Sequence, residues 1–353
     1  MSCSAQYLLH QLCRHVSLGT GIGAAPGQGA GLGVRCRGLL GALAACALWC
    51  APVLAAPVDK LHILIPGGPG GGWDRTGRVT GDVLRRAGLV GTVSFANMSG
   101  GGGGRAIGYM IETAQHRHAT LLVNSVPILV RSITEVLPYS FRDLTPIAAV
   151  IGDYGALAVR PDSPFASFDD ALAAFRAAPD RAMVAGGSVR GDLDHIVAAL
   201  ALAAAGEDPQ RLIYVPYDTG GKALAGILSG EAPILSTGFG EALEQARAGR
   251  LRILAVTAPD RLPGAADVPT LRELGYDVEF ANWRGFFGPP ALPEALAERY
   301  ADMFQAMYRT PEWHAARRQN GWTDLFIGRA AFLAFLEAQE KTIRTLRRDL
   351  GFR

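Results

Sequence analysis

Cysteine is missing from most of this chain. All five cysteines of the 353 residues lie at positions 3, 13, 36, 46 and 50. Beyond position 50 there is therefore no thiol nucleophile, no disulfide and no cysteine metal ligand. The nearest pair of histidines in that part, His116 and His118, has no H-E-x-x-H pattern beside it. We interpret the pair as an exposed loop and predict that the protein holds no metal.

Motifs for catalysis and cofactor binding are also missing. The glycine-rich loop at 67–72 lacks the Gly-Lys-Ser/Thr ending of a phosphate-binding loop, so nucleotide hydrolysis would have no lysine. As a dinucleotide fingerprint, Gly68-x-Gly70-x-x-Trp73 lacks the third glycine. No serine lies in a G-x-S-x-G elbow. The sequence therefore predicts no cofactor and no enzymatic activity.

Acidic residues are absent from residues 1–56. A basic segment, Arg35-Cys-Arg37, precedes an apolar run at 39–54, which closes on Ala55-Ala56. A basic region, an apolar region and a small-residue cleavage site together make a secretory signal, so we predict that residues 1–56 are a leader and that the mature protein is periplasmic.

Three alternatives concern this leader. A transmembrane anchor fits poorly, because the run contains Pro52 and is shorter than the roughly 20 residues that a span needs. A lipoprotein cleavage box ends at Cys46 and would leave a lipid anchor on that residue. Residues before Arg35 are glycine-rich and unlike a signal, which suggests a true start near Val34.

Excess positive charge is absent once the leader is removed. The leader carries three arginines, so Lys+Arg falls from 34 to 31 against 32 Asp+Glu. This near-neutral balance excludes the broad basic surface that nucleic acid requires, and we predict no nucleic-acid partner.

What the chain does have is a repeated unit of strand, glycine turn and helix. The apolar run Ile63-Leu-Ile65 is typical of a strand buried on both faces; glycines follow up to Gly72, and a helix is predicted from Asp74. Similar units surround 97–105, 183–192 and 216–222. We predict a strand pair at 145–160 that crosses between two α/β lobes.

The predicted fold is a two-lobed α/β binding protein of the type II kind with two interdomain crossings. The leader is 1–56, the first part of lobe 1 is 57–154, lobe 2 is 155–281, and 282–353 returns to complete lobe 1 with C-terminal helices. Ligands bind at strand ends in open α/β sheets and in clefts between domains. We therefore expect the glycine turns to converge on one anion site.

Hydroxyl and amide side chains lie in or near those turns. Ser99, Ser125, Ser188 and Thr219 could hold an anion together with backbone N–H groups, and Asn124 adjoins Ser125 at a strand end. Each is also a residue type common in turns and caps. Arg190 is either a charged ligand contact or a solvated surface residue, and Trp73 either lines the cleft or packs the lobe.

The ordered set of motifs resembles the TctC/Bug family of extracytoplasmic solute receptors, in its tricarboxylate-type branch. The likeness rests on Gly70-Gly-Gly-Trp-Asp74, the turn at 97–104, Asp153-Tyr-Gly155, Gly186-Gly-Ser-Val-Arg-Gly191 and Trp283-Arg-Gly-Phe-Phe-Gly288. The family's Asn-Arg-Pro-Gly is replaced here at 97–100 by Asn-Met-Ser-Gly, and its Gly-x-Val-Asp by Gly-Glu-Ala-Pro at 230–233. The second departure puts in doubt any ligand or interface role inferred for the family's Asp and indicates altered specificity.

The resemblance implies a monomeric Venus-flytrap receptor that closes on a small organic carboxylate, such as a citrate-like tricarboxylate or a dicarboxylate. It would deliver this ligand to the membrane permease subunits of a tripartite tricarboxylate transporter. Alternatives are a ligand sensor for a signalling partner and an exported enzyme acting on a carboxylate. Together with Asn124 and Ser125, the positions that match the family's loops give the predicted ligand-binding residues: Gly71, Gly72, Trp73, Asp74, Ser99, Gly100, Gly101, Gly102, Asn124, Ser125, Ser188, Val189, Arg190, Gly191, Thr219, Gly220 and Gly221.

Overall fold

The computed structural model describes residues 58–352. The predictions about the leader, its cleavage and Cys46 concern residues outside this range. Nine strands are present in the described part: β1 Val58–Ile65, β2 Val90–Asn97, β3 Thr120–Ser125, β4 Thr145–Val159, β5 Val184–Gly186, β6 Tyr214–Pro216, β7 Ile234–Gly238, β8 Arg252–Val256 and β9 Ala281–Gly288.

Ten α-helices accompany these strands between residues 58 and 352. They are α1 Gly72–Arg86, α2 Gly104–Glu112, α3 Val126–Thr134, α4 Phe168–Ala177, α5 Leu193–Ala204, α6 Gly220–Ser229, α7 Phe239–Arg247, α8 Glu294–Tyr308, α9 Pro311–Gln319 and α10 Arg329–Asp349.

The first lobe is built on a sheet with the strand order β2-β1-β3-β9-β4. Strands β1, β2 and β3 are parallel, whereas β9 runs antiparallel to both β3 and β4. Ile63, Leu64 and Ile65 of β1 are fully buried, as expected of a strand covered on both faces. Helices α8 and α10 from the end of the chain pack against β4.

The second lobe is built on the strand order β4-β7-β5-β6, with β8 pairing to β4 on the other side. Strands β5, β6 and β7 are parallel, and β4 is antiparallel to β7 and β8. Strand β4 pairs with β9 from Thr145 to Tyr154 and with β7 from Gly155 to Ala158. A single strand thus runs through both sheets, which gives the mixed α/β, two-lobed fold that was expected.

The prediction of a strand pair at 145–160 is wrong in detail, because the segment is one continuous strand of 15 residues. Its glycines do not form a turn. A Cβ added to Gly152 would collide with Thr323, and one added to Gly155 would lie 2.8 Å from a Val197 methyl. Both glycines therefore allow close packing against the strand.

Within residues 58–352, none of the helices combines the length and apolar character needed to cross a membrane. The same part of the chain brings together no group of three or more His, Cys, Asp or Glu side chains suited to hold a metal ion. The residue boundaries predicted for the lobes stay a prediction.

Candidate functional site

The glycine turns of the two lobes meet across the molecule. The loop of residues 67–72 follows β1, and the turn at 217–221 follows β6 and begins α6. A Cβ added to Gly220 would lie 3.5 Å from the Cα of Gly71, and one added to Gly221 would lie 2.9 Å from the carbonyl oxygen of Pro69. The lobes are therefore closed on each other in this structure.

A cavity of about 70 Å³ remains between the lobes. We call it the interlobe cavity. It is lined from both lobes by Gly67, Gly68, Gly71, Gly72, Trp73, Asp74, Ser125, Pro127, Gly187, Ser188, Leu193, Asp194, Asp218, Thr219, Gly220, Gly238, Glu241, Asn282 and Arg284.

Two helices begin at the interlobe cavity, one from each lobe. Helix α1 starts at Gly72 after Gly71, two residues earlier than predicted, and no side chain caps it. Helix α6 starts at Gly220, where the hydroxyl of Thr219 accepts from Lys222 N at 3.3 Å. The first backbone N–H groups of a helix have no partner within the helix, and its dipole places partial positive charge there. Both helix ends thus favour a negative group in the cavity.

Asp74 organises the first glycine loop. It accepts hydrogen bonds from the backbone N–H of Gly70 at 3.0 Å, from Arg78 Nε at 2.8 Å and from Asn97 Nδ2 at 2.9 Å. The same amide of Asn97 donates to the carbonyl of Gly67 at 2.9 Å. The carboxylate therefore shapes the loop, and both of its oxygens already accept from protein donors.

Trp73 has both of the roles that the sequence left open. Its ring lines the cavity and packs against the apolar core beneath β1. Its Nε1 donates to Ser125 Oγ at 2.9 Å. This bond links the end of β1 to the end of β3, and it uses a donor that would otherwise be unpaired.

A buried ion pair includes Arg284, which lines the cavity. Arg284 of β9 lies 2.9 Å from Asp153 of β4, and both side chains are buried. A Cβ added to Gly72 would collide with Arg284, and one added to Gly238 would collide with Asp153. The absence of side chains at these two glycines makes room for the pair. Burial raises the pKa of Asp153, while the charge of Arg284 opposes that rise.

Besides the exposed Asp218, two carboxyl groups line the cavity from the second lobe, those of Glu241 and Asp194. Glu241 of α7 accepts from the hydroxyl of Thr237 through Oε2, while its Oε1 is buried and has no hydrogen-bond partner. Asp194 lies in the first turn of α5. Burial is the main cause that raises the pKa of Asp194 to about 8, and the nearby charge of Glu241 adds to it. Burial also raises the pKa of Glu241.

Ion pairs also join the lobes outside the cavity. Arg131 of α3 lies 3.4 Å from Asp192, the residue that caps α5, and both are buried. Arg75 of α1 pairs with Glu244 of α7. Burial raises the pKa of Asp192 to about 6, and the charge of Arg131 counteracts it. These contacts belong to the closed arrangement, because each joins elements from opposite sides of the cavity.

Several predicted site residues line the interlobe cavity, and others lie outside it. The lining includes Gly71, Gly72, Trp73, Asp74, Ser125, Ser188, Thr219 and Gly220. The other predicted residues are absent from that lining: Ser99, Gly100, Gly101, Gly102, Asn124, Val189, Arg190, Gly191 and Gly221. As ligand contacts, all of these positions stay predictions.

The positions outside the lining have structural roles of their own. Gly100, Gly101 and Gly102 all have positive φ angles, so the turn after β2 needs glycine for its backbone. Arg190 is exposed, and the carbonyl of Gly191 accepts from Arg347 of α10.

The sequence did not single out Arg284, Asn282, Asp153 or Glu241 as site residues. Each comes from an element distant in sequence from the glycine turns. One usable signal was present, because Arg284 is a charged residue inside the aromatic, otherwise apolar strand β9. A buried arginine in such a strand needs a partner, which points to a site.

Comparisons with known proteins bear on the family and the fold of the chain. The family model described as "Tripartite tricarboxylate transporter family receptor" matches residues 78–346. Protein BugT of Bordetella pertussis is 29% identical over 262 residues, covering 72% of this chain and 78% of BugT.

Two solved structures show the same fold. One is the periplasmic binding protein BugD, with a TM-score of 0.73 and 21% identity, covering 84% of this chain and 99% of BugD. The other is MatC of Rhodopseudomonas palustris with bound malate, with a TM-score of 0.72 and 18% identity, covering 82% of this chain and 99% of MatC.

Proposed function

Because the chain belongs to the TctC family of tripartite tricarboxylate transporter receptors, a family of periplasmic solute-binding receptors and not of enzymes, we propose that it captures a small organic carboxylate in its interlobe cavity. It then delivers this ligand to the membrane permease subunits of a tripartite transporter. The malate bound by MatC, a protein of the same fold, is consistent with a ligand of this class.

The observation that carries the proposal is the meeting of two helix N-termini at one cavity. The free N–H groups at the start of α1 and of α6 come from opposite lobes. A carboxylate bound between them would satisfy donors of both lobes at once. The predicted residues of these two loops, from Gly71 to Asp74 and from Thr219 to Gly221, are the proposed carboxylate contacts.

Closure follows from the same geometry. In the closed form the ligand contacts both lobes, whereas in an open form it would contact one. A ligand shifts a conformational equilibrium by its difference in affinity for the two forms. The carboxylate thus stabilises the closed form, and the pairs Arg131–Asp192 and Arg75–Glu244 add to it because they join the lobes only when these meet.

The size of the cavity favours a compact ligand. A water molecule needs roughly 10–15 Å³ of such volume, so the cavity of about 70 Å³ has room for a short-chain carboxylate. Dicarboxylates and citrate-like tricarboxylates are the proposed ligand class.

A binding screen tests this proposal. The exported protein is titrated calorimetrically with mono-, di- and tricarboxylates, and thermal unfolding is followed with and without each compound. A true ligand at 100 times its Kd adds about 2.7 kcal/mol to the free energy of unfolding. Amino-alcohols and neutral sugars of similar size serve as controls. The proposal is wrong if a control solute binds saturably and no carboxylate does.

The permease partner needs a separate test. Uptake of the identified carboxylate is measured in cells with and without this protein. Loss of uptake on deletion, restored by the wild-type chain, is expected of a transport receptor. Unchanged uptake with altered gene expression would instead favour a sensor.

A further inference from the structure

The ionisable groups that line the interlobe cavity are unbalanced in number. Four carboxyl groups line it, those of Asp74, Asp194, Asp218 and Glu241, against the single guanidinium of Arg284. A site for a plain polyanion would be expected to show the opposite excess, since like charges in a low-dielectric cavity repel.

Three of these five groups are neutralised by neighbours. Asp74 pairs with Arg78 at 2.8 Å, Asp218 with Lys222 at 3.5 Å, and Arg284 with Asp153 at 2.9 Å. Asp194 and Glu241 remain. Within residues 58–352, neither forms an ion pair with a Lys or Arg nitrogen within 4.0 Å.

The two remaining carboxyl groups differ in their hydrogen bonding. The backbone N–H of Asp194 donates to Ser188 Oγ at 3.0 Å, and Ser188 and the backbone of Gly187 lower the pKa of the Asp194 carboxyl against the effect of burial. Glu241 accepts from Thr237 at Oε2 only, and its Oε1 is buried without a partner. A buried acceptor that lacks a hydrogen bond destabilises the protein, because it has lost its hydration without gaining a partner. Glu241 Oε1 is therefore the polar atom of the cavity lining that most needs a donor.

This oxygen lies at the junction of the two glycine loops. A Cβ added to Gly220 would be 3.1 Å from Glu241 Oε1, and one added to Gly71 would be 3.8 Å from it. Helix α6 begins at Gly220, and α1 begins one residue after Gly71. A ligand held by its carboxylate at these helix ends would have its next polar group within reach of Glu241.

The cavity thus presents backbone N–H donors at the two helix ends beside one acceptor, Glu241 Oε1. A ligand that matches it needs a carboxylate for the donors and a hydrogen-bond donor for the acceptor. Resting on the proposed carboxylate-binding function, we propose that Glu241 is the specificity-determining residue of the site and accepts a hydrogen bond from a hydroxyl or amino group of the ligand. The ligand class is then a carboxylate that carries such a donor, rather than a plain polycarboxylate.

The electrostatics of the pair support this assignment. Burial raises the pKa of Glu241, and the charge of Glu241 is the second cause that raises the pKa of Asp194. A further carboxylate next to Glu241 would add repulsion, whereas a donor would relieve it.

Matched ligands test the proposal directly. Succinate, malate and aspartate share a four-carbon dicarboxylate skeleton. Succinate has no further hydrogen-bond donor, malate carries a hydroxyl group and aspartate carries an ammonium group. Tricarballylate and citrate form a second pair that differs by one hydroxyl. Calorimetry on the wild-type protein is expected to show that a donor-bearing member binds at least about tenfold more tightly than its plain counterpart, the ratio that 1.4 kcal/mol gives.

Variants identify the residue responsible. Glu241→Ala is expected to bring the donor-bearing and plain ligands within about threefold of each other. Glu241→Gln keeps an acceptor oxygen but not the charge, so it weakens an amino ligand strongly and a hydroxyl ligand little. Glu312 provides the matched control, because it is also a glutamate in the first turn of a helix, α9, but lies outside the cavity lining. Glu312→Ala and Glu312→Gln should keep the wild-type ratio of affinities for donor-bearing and plain ligands.

The outcomes separate the two proposals. Equal affinity of wild-type protein for plain and donor-bearing carboxylates overturns the role of Glu241 while the carboxylate function stands. An undiminished ratio in Glu241→Ala overturns it as well. Binding of no carboxylate refutes the proposed function, and the inference falls with it. Thermal unfolding of the unliganded variants shows whether they fold, and Glu241→Gln keeps an acceptor for the hydroxyl of Thr237 where Glu241→Ala does not.

Discussion

Gly221 offers a perturbation that acts on the closed form alone. It is the second residue of α6 and belongs to the second lobe. A Cβ added there would lie 2.9 Å from the carbonyl oxygen of Pro69 in the first lobe and 4.0 Å from that carbonyl's carbon; among residues 58–352, no other heavy atom outside its own helix lies within 4 Å of it. Its backbone is not in the left-handed region, so alanine fits its own lobe. The conflict arises only when the lobes meet.

The size of the effect follows from the contact. Real Cβ atoms essentially never approach a heavy atom below 3.0 Å, and the neighbour here is rigid backbone. Overpacking of this kind costs about 1–3 kcal/mol. If the whole cost falls on the closed form, Gly221→Ala weakens carboxylate binding by about 5- to 150-fold. In the unliganded protein, alanine in a helix should be neutral or stabilising by up to about 1 kcal/mol.

Calorimetry with the tightest carboxylate from the screen measures the affinity, and thermal unfolding without ligand measures the stability. Gly108→Ala is the matched control, because Gly108 is a helical glycine of α2 at which a Cβ would meet atoms at 3.7 Å or beyond. Gly108→Ala should bind as the wild type does. If Gly221→Ala also binds with wild-type affinity, the closed arrangement is not the one that holds the ligand, and the reasoning is refuted.

Three further substitutions test the lining of the cavity. The pKa of Asp194 is raised from the ordinary 3.8 to about 8 in the folded protein. Between these two pH values the carboxyl is therefore protonated in the folded state and ionised in the unfolded state. The free energy of unfolding should therefore fall as pH rises through this window, by up to about 1.4 kcal/mol per pH unit. Urea unfolding at pH 5 and pH 7 should show a smaller fall for Asp194→Asn than for the wild type. An equal fall in both proteins would contradict the raised pKa. Gly72→Ala places a Cβ against Arg284, so we expect the free energy of unfolding in urea to fall by about 1–3 kcal/mol and carboxylate binding to weaken. If neither quantity changes, the guanidinium of Arg284 moves aside freely. Trp73→Phe removes the hydrogen bond to Ser125 and should cost about 1 kcal/mol of stability; a variant with unaltered thermal unfolding and carboxylate affinity would deny the tryptophan both of its roles.

The parts of the fold that are local in sequence could be predicted. The buried strand, glycine turn and helix around residues 61–75 are written in consecutive residues, and the structure has β1, the 67–72 loop and α1 there. The two-lobed α/β fold followed from repetition of this unit. The start of α1 was predicted two residues late, because Gly72 is a poor helix former whose position is fixed by its contact with Arg284.

The charged part of the site could not be predicted in this way. Arg284 and Asp153 come together because β9 pairs with β4, and Glu241 reaches the cavity because α7 follows β7 at the same edge. Pairing between strands that lie far apart in sequence depends on the whole sheet, and no single segment of the sequence indicates it. The glycines at 72 and 238 were visible, but their reason, the space for a buried ion pair, was not.

The central claim is that a carboxylate binds between the N-termini of α1 and α6. A crystal structure of the protein with its tightest carboxylate tests this most directly. We predict carboxylate oxygens about 2.9 Å from backbone nitrogens in the first turns of both helices, with the lobes closed. A carboxylate found outside the interlobe cavity, or one held by a single lobe with the lobes apart, would contradict it.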